Sequence, residues 1–310
     1  DIYAGWSRFA KKIIKQNIVS EQFDVVITAS GGYSAHIIGS WVAQKYGISW
    51  LADYGDPWGL DIYGEIKYTF HAIEKRLLRN CSGLFFTTQS TIDAYKKHYK
   101  LQNLPLFKLP CGFDTFDANK LEQPHHQGIV FTYTGVAYSL SRNLSNAVIA
   151  LANLNAINVS FQIVGSYSNK FVNLANKLNA NNIKFRGKVD FTTSLDIISN
   201  SDILLHIGNY GTMQIPGKTY IYLGTPKPIL YIRQEDRYDP TFELLSQFGG
   251  VVISDNDSKS IEDSAKQIIN NYDYYLNLSI ARANSKELSQ YSWENLGDYF
   301  DQCIKKIVTV

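Results

Sequence analysis

One methionine, three cysteines and eight prolines in 310 residues leave several protein classes without material. Cys81, Cys111 and Cys303 are odd in number and far apart, which excludes a disulfide-stapled scaffold or a cysteine cluster for zinc and suits a reducing compartment. The six histidines show no ligand spacing, so no metal centre is expected. No apolar run reaches the roughly 18 residues of a membrane span, and no signal peptide is visible. A net charge of +2 is too small to argue for nucleic acid. These absences leave a soluble protein, cytoplasmic by expectation.

What is present is ordinary core material. The chain is 45% hydrophobic, with 21 Tyr, 16 Phe and 5 Trp, enough for two domains of about 150 residues each. The stretch from 203 to 232 organises it. Ile203 to Ile207 is long enough for one buried strand; Pro216 and Gly217 suit a helix start; Lys218 lies in the first turn, where free amides and the helix dipole favour an anion. Thr225-Pro-Lys-Pro228 then turns into a second apolar run, Ile229 to Ile232. This order predicts a phosphate site at the carboxyl edge of a parallel sheet, while an ordinary Pro-Gly-Lys surface turn fits the same spacing. It is not an ATP-binding P-loop: five residues, 212 to 216, separate Gly211 from Gly217, where that motif has four, and Pro216 removes a donor.

The segment resembles the "IP-x-K-x-x-E-Y-L-x-x-G-x-P-I" signature of family 4 glycosyltransferases, retaining enzymes of the GT-B fold. Ile215, Pro216, Lys218, Tyr222, Leu223, Pro228 and Ile229 match. The two carboxylates of the family's Glu pair do not: Met213 and Ile221 stand in their places.

A second motif lies in the first half. Phe23 to Thr28 and Ile48 to Ala52 read as strands around a helix that Ser34 can cap, and the second strand leads to Asp53-Tyr-Gly-Asp56-Pro-Trp58. It resembles the family's "S-x-H" turn and its "D-x-R-D-P-W" segment, matched by Ser34, His36, Asp53, Asp56, Pro57 and Trp58, with Gly55 where relatives have Arg. The resemblance implies that this side meets the acceptor and the transferred sugar, through His36, Asp56, Asp53 and Trp58. A helix histidine satisfied in the core and a plain Asp-Pro turn are the other readings of His36 and Asp56.

Further helices are expected at 65–80 and 89–99, and strands at 83–88 and 106–109. Residues 115–127 are polar and unpatterned, an interdomain linker between a domain at 1–114 and one at 128–290. Ile129 to Thr134 opens the second domain, and Gly135 lets the backbone approach a ligand. Arg142, near the next helix start, can hold a phosphate oxygen or be a surface arginine. The resemblance implies a donor diphosphate held by Gly135, Arg142 and Lys218, with the nucleotide against Gly165, Lys188, Val189, Tyr210, Gly211, Thr212 and Tyr222. It also implies a final helix, 291–310, that crosses back to the first domain.

The expectation is therefore α/β, GT-B, with two Rossmann-like domains facing a crevice and the opening βαβ units of the first not in evidence. The implied activity is retaining transfer of a sugar from a nucleotide-diphosphate donor to a saccharide or lipid-linked acceptor in surface polysaccharide synthesis. Arg142 and Lys218 would neutralise the diphosphate, so no divalent ion or cofactor is expected. The missing Glu pair favours a competing class, a non-catalytic GT-B protein that binds a nucleotide sugar or glycan; a sugar-nucleotide epimerase is a third. Residues 3–17 place Trp6, Phe9, Ile13 and Ile14 apart from most of Arg8, Lys11, Lys12 and Lys15, a helix able to lie peripherally on an anionic membrane or to pack on its own domain.

Overall fold

The computed structural model describes residues 5–18, 23–29, 33–101, 103–114, 128–138, 142–154, 158–235 and 237–308. The proposed linker at 115–127 and the turn residues 30–32 lie outside this set. The chain divides into two units: residues 1–111, 211–215 and 294–310 form the first, and residues 112–210 and 216–293 the second.

The first unit holds α1 (Trp6–Asn17), β1 (Val25–Ala29), α2 (Ser34–Tyr46), β2 (Ser49–Tyr54), α3 (Tyr68–Leu77), β3 (Gly83–Phe86), α4 (Gln89–Tyr99) and β4 (Leu106–Lys108). Its sheet is parallel, in the order β1-β2-β3-β4. Alternation along β2 and β3 sends Trp50, Ala52, Tyr54, Leu84 and Phe86 into one core, with Ile92, Tyr95 and Tyr99 of α4. The opposite face, Leu51 and Phe85, packs on Cys303, Phe300 and Ile304 of the last helix. Helix boundaries follow local chemistry. Gly47 closes α2 in the left-handed region at φ 70°, and the Thr88 side chain accepts from the Thr91 amide to start α4.

The second unit runs β5 (Ile129–Ala137), α5 (Ser145–Ala152), β6 (Val159–Tyr167), α6 (Asn169–Lys177), β7 (Ile183–Arg186), α7 (Phe191–Ser199), β8 (Ile203–Ile207), α8 (Gly217–Gly224), β9 (Ile229–Ile232), α9 (Pro240–Leu245), β10 (Val251–Ser254), α10 (Ser258–Asn270), α11 (Tyr272–Ala283) and α12 (Lys286–Ser289). The last helix, α13, spans Trp293–Val308. The second sheet is parallel throughout, ordered β10-β9-β8-β5-β6-β7. Its central strand β8 is buried at every position, as a continuous apolar run demands. Chain direction across the sheet reverses between β5 and β8, and that is where a doubly wound sheet opens a crevice at its carboxyl ends. Aliphatic residues of α5, α6 and α10 fill the core behind Phe131, Tyr133, Phe161 and Ile163.

Candidate functional site

The exits of β5 and β8 bring together the residues that the sequence places near phosphate. Gly135 adopts φ 117° and Gly165, its register partner on β6, adopts φ 122°. A Cβ on Gly165 would stand 2.2 Å from the Gly135 carbonyl oxygen, so the end of β6 admits no side chain there without movement, while Gly135 is held glycine-like by its positive φ. A Cβ on Gly135 would lie 3.9 Å from Lys218 Nζ, which fixes the lysine beside the bare strand end.

Lys218 is half-buried in the first turn of α8. Its Nζ donates to the Thr134 carbonyl at 3.2 Å and sits 3.7 Å from the centroid of the Tyr133 ring. Arg142 donates from Nε to Asn209 Oδ1 at 2.7 Å and from Nη1 to the Val136 carbonyl at 3.4 Å. Among the described residues neither cation has a carboxylate partner. Burial, then the charge of Arg142, holds the Lys218 ammonium well below the usual lysine range. The N-terminus of α8 adds to this positive field, because Pro216 at its cap offers no side-chain acceptor to the first amides.

His206 lies directly beneath, fully buried, with Nδ1 3.0 Å from the Ile207 carbonyl and Nε2 2.7 Å from Thr219 Oγ1. Burial and then Lys218 keep it far below the ordinary histidine range, so it is neutral. A carbonyl can only accept, so the proton is on Nδ1 and Nε2 accepts from Thr219. Tyr222 is buried as well, and its hydroxyl accepts from the Thr134 amide at 3.0 Å. It braces the end of β5 from below rather than offering a free hydroxyl. Lys188 and Val189 lie on the exposed loop after β7, and Tyr210 is 37% exposed.

Gly211 and Thr212 are placed differently from the sequence expectation. They belong to the first unit, where the Thr212 amide donates to the Ile62 carbonyl at 2.8 Å and Ser90 Oγ donates to the Thr212 carbonyl at 2.6 Å. Thr88 and Thr91 hydroxyls both donate to the Met213 carbonyl, at 2.9 and 2.8 Å. The Met213 side chain is 2% exposed in the first unit's core, and Gln214 donates to Asp56. These bonds tie the backbone of residues 212 and 213 to the first unit. Ile221 is half-buried on α8.

In the first unit, the second motif divides into a surface part and a core part. Asp56 is exposed, and Asp53 is half-buried with its carboxyl raised above the usual range by desolvation. Trp58 is buried and stacks on Tyr33, ring centroids 4.8 Å apart. Its amide donates to Tyr95 Oη at 3.1 Å, and the Gly59 amide donates to Glu74 Oε2 at 3.0 Å. Glu74, fully buried, also accepts from Tyr95 at 2.8 Å and from Tyr99. One buried carboxylate thus pins the loop that carries Asp56. His36 is in the core: Nδ1 is 2.8 Å from Thr28 Oγ1, which also accepts from Trp50 Nε1 at 2.8 Å, and its ring stacks on Tyr54. Burial lowers it to about 4.

Sequence reasoning missed Tyr133, Asn209 and Glu74. Tyr133 had a signal, since a residue two positions before Gly135 shares its strand face; Asn209 and Glu74 had none. Among the described residues no group of three His, Cys, Asp or Glu side chains could hold a metal, and no helix is long and apolar enough to cross a membrane.

No family model and no curated protein matches the sequence. Solved structures do match. HepE of Anabaena, in complex with UDP and glucose, superposes with a TM-score of 0.72 at 12% identity, over 96% of this chain and 81% of HepE. The pneumococcal O-GlcNAc transferase GtfA, in complex with UDP and GlcNAc, gives 0.65 at 11% identity, over 97% of this chain and 60% of GtfA. A UDP-N-acetylglucosamine 2-epimerase gives 0.63 at 14% identity, over 96% of this chain and 75% of the epimerase. At such identities the likeness concerns the fold, which is GT-B, with two Rossmann-like domains.

Proposed function

We propose that this protein is a glycosyltransferase whose second unit binds a nucleotide-diphosphate sugar at the switch point of its sheet. The observation that carries the reading is the pair Lys218 and Arg142: two cations beside a bare glycine strand end, at an uncapped helix N-terminus, with no carboxylate to neutralise them. Such a site is complementary to a diphosphate and stabilises the negative charge that grows on it as the sugar departs. The positive charge comes from the protein, so activity is expected to survive chelation of divalent ions.

HepE and GtfA, solved with UDP and a sugar, share the fold and support a uridine nucleotide as the first donor to try. By the sequence resemblance, transfer proceeds with retention to a saccharide or lipid-linked acceptor in surface polysaccharide synthesis, with Asp53, Asp56 and Trp58 on the acceptor side. His36 would act there through packing, since its ring is buried.

A thermal-shift panel of UDP, GDP, dTDP and CDP with their common sugars tests the reading. A ligand at about one hundred times its dissociation constant adds about 2.7 kcal/mol and raises the melting temperature by several degrees. Lys218→Ala should cut the shift at the same ligand concentration by about half or more, without lowering the ligand-free melt. An unchanged shift in that variant would remove the diphosphate from this site.

A second reading is a non-catalytic protein that binds the same nucleotide sugar. It is favoured by Met213 and Ile221 at the positions of the family's two acids, Met213 being committed to the first unit's core. Binding without turnover, over a panel of acceptors, selects it. The epimerase likeness adds one control, incubation without acceptor, in which isomerised donor would replace transfer as the activity.

A further inference from the structure

Parallel strands are as a rule buried and apolar on both faces, and β6 and β7 break that rule. Phe161, Ile163, Ile183 and Phe185 enter the core with α5 and α6. On the opposite face the same strands carry Ser160, Gln162, Lys184 and Arg186. Helix α7 packs against β5 on that side and walls a cavity of about 340 Å³ over these polar side chains.

Gln162 is the fixed point of the cavity. It is 8% exposed, on an inner strand, between its register partners Thr132 and Lys184. Ser201 Oγ donates to the Ile197 carbonyl at 2.6 Å, so the Thr132 hydroxyl, 2.5 Å away, gives its proton to Ser201 Oγ. Gln162 Nε2 in turn donates to Thr132 Oγ1 at 2.8 Å. A reversed amide would set two acceptors against each other, so its orientation is fixed. Among the described residues Gln162 Oε1 then has no donor. Lys184, beside Gln162, and Arg186, two residues along the same face, make no ion pair among the described residues, nor does Asp196 on the α7 wall. Charges on an edge strand are a common guard against sheet-to-sheet pairing, and that accounts for Lys184 and Arg186 alone. It leaves a buried glutamine and a serine on the inner strand without a purpose.

We propose that this cavity is a second ligand site, for a sugar bearing one anionic group, a carboxylate or a phosphate. Sugar hydroxyls donate to Gln162 Oε1 and Asp196 and accept from Ser160, while the anionic group meets Lys184 and Arg186. A bare anion uses only the cations, and a neutral sugar only the amide, hydroxyl and carboxylate. The volume lies at the lower end of small-molecule sites, roughly 300 to 1,000 Å³, which suits a small saccharide. The cavity shares no residue with the Lys218 site, and the proposal does not rest on the reaction proposed above.

The test is an NMR titration of the full, isotope-labelled chain with glucuronate, glucose-6-phosphate, glucose and inorganic phosphate, read at the Gln162 side-chain amide and the backbone amides of Lys184 and Arg186. At least one acidic sugar should shift these signals to saturation, about tenfold or more tighter than glucose or phosphate alone, and the tighter of the two identifies the anion. Lys184→Ser with Arg186→Ser, both exposed, should weaken that binding about tenfold or more at an unchanged melting temperature. Gln162→Met should weaken it several-fold. Lys218→Ala should leave it unchanged, which separates this site from the proposed diphosphate site. No shift with either acidic sugar, equal binding of glucose or of phosphate, or an affinity indifferent to the Lys184 and Arg186 double variant overturns the proposal.

Discussion

The ammonium of Lys218 lies over the ring of Tyr133, 3.7 Å from its centroid, and donates to the neighbouring Thr134 carbonyl. The ring's quadrupole and one carbonyl are what the protein supplies to a charge that is otherwise desolvated and repelled by Arg142. An anion arriving there relieves that frustration.

Lys218 and Arg142 should therefore act on one ligand. Lys218→Ala and Arg142→Ala are each expected to weaken UDP binding by about tenfold or more, and the double variant by less than the product of the two. Isothermal titration of the four proteins gives the cycle. Full additivity would mean that the two side chains serve different ligand groups.

Binding should also take up a proton. A lysine depressed in the folded protein is partly neutral over the pH range between its depressed value and the ordinary lysine range, and a bound diphosphate restores its charge. Affinity should fall as pH rises through that range. Calorimetry in buffers of different ionisation heat, with Lys218→Arg as the control that stays charged, measures the protons directly.

His36 gives a stability signature. Its folded value near 4 lies below the unfolded histidine value, so the neutral form is favoured by folding. That contribution is complete above about pH 6.5 and is lost as pH falls toward 4, a difference of about 3 kcal/mol. Urea titrations of the wild type and of His36→Gln at pH 7 and pH 4.5 should show a smaller loss in the variant. An imidazole that titrates normally by NMR would contradict its burial.

Arg282 should be among the costliest single positions. Buried on α11, it donates to the carbonyls of Leu223, Thr225, Lys227 and Gly249, which closes the end of α8 against the turn into β9. Arg282→Met leaves those oxygens dry and unpaired, for an expected loss of about 3 to 5 kcal/mol in denaturant unfolding. Arg282→Lys should recover only part, since one ammonium cannot reach all four.

Glu74 joins the first unit's core to the Asp56 loop. Glu74→Gln keeps the shape and should cost about 1 to 2 kcal/mol, and Glu74→Ala more, with two phenols and the Gly59 amide left unpaired. Increased hydrogen exchange at the Trp58 and Gly59 amides in Glu74→Ala, relative to the rest of the sheet, is the local readout.

Much of the second unit was legible because its central strands are buried on both faces and read as unbroken apolar runs; β8 and β9 have the limits that Ile203 to Ile207 and Ile229 to Ile232 suggest. Short helices were harder. Helices α6 and α9 escaped pattern reading, although Ser168 and Asp239 cap their first amides. The placement of residues 211–215 was not legible at all, because it rests on hydrogen bonds to Ile62, Thr88, Ser90 and Thr91, far away in sequence. Burial of His36 and Tyr222 was equally hidden: helical spacing shows which residues share a face, not how deeply a polar group on that face is sunk.

The scarcity of methionine has a practical consequence. With Met213 the sole methionine and its thioether enclosed against Gly64 and Ala94, isotope labelling of methionine methyls would put a single resonance inside the first unit. That one line would report whether the 211–215 segment is seated, without assignment of any other signal, and a second line at the random-coil position would count the fraction of molecules in which it has come loose.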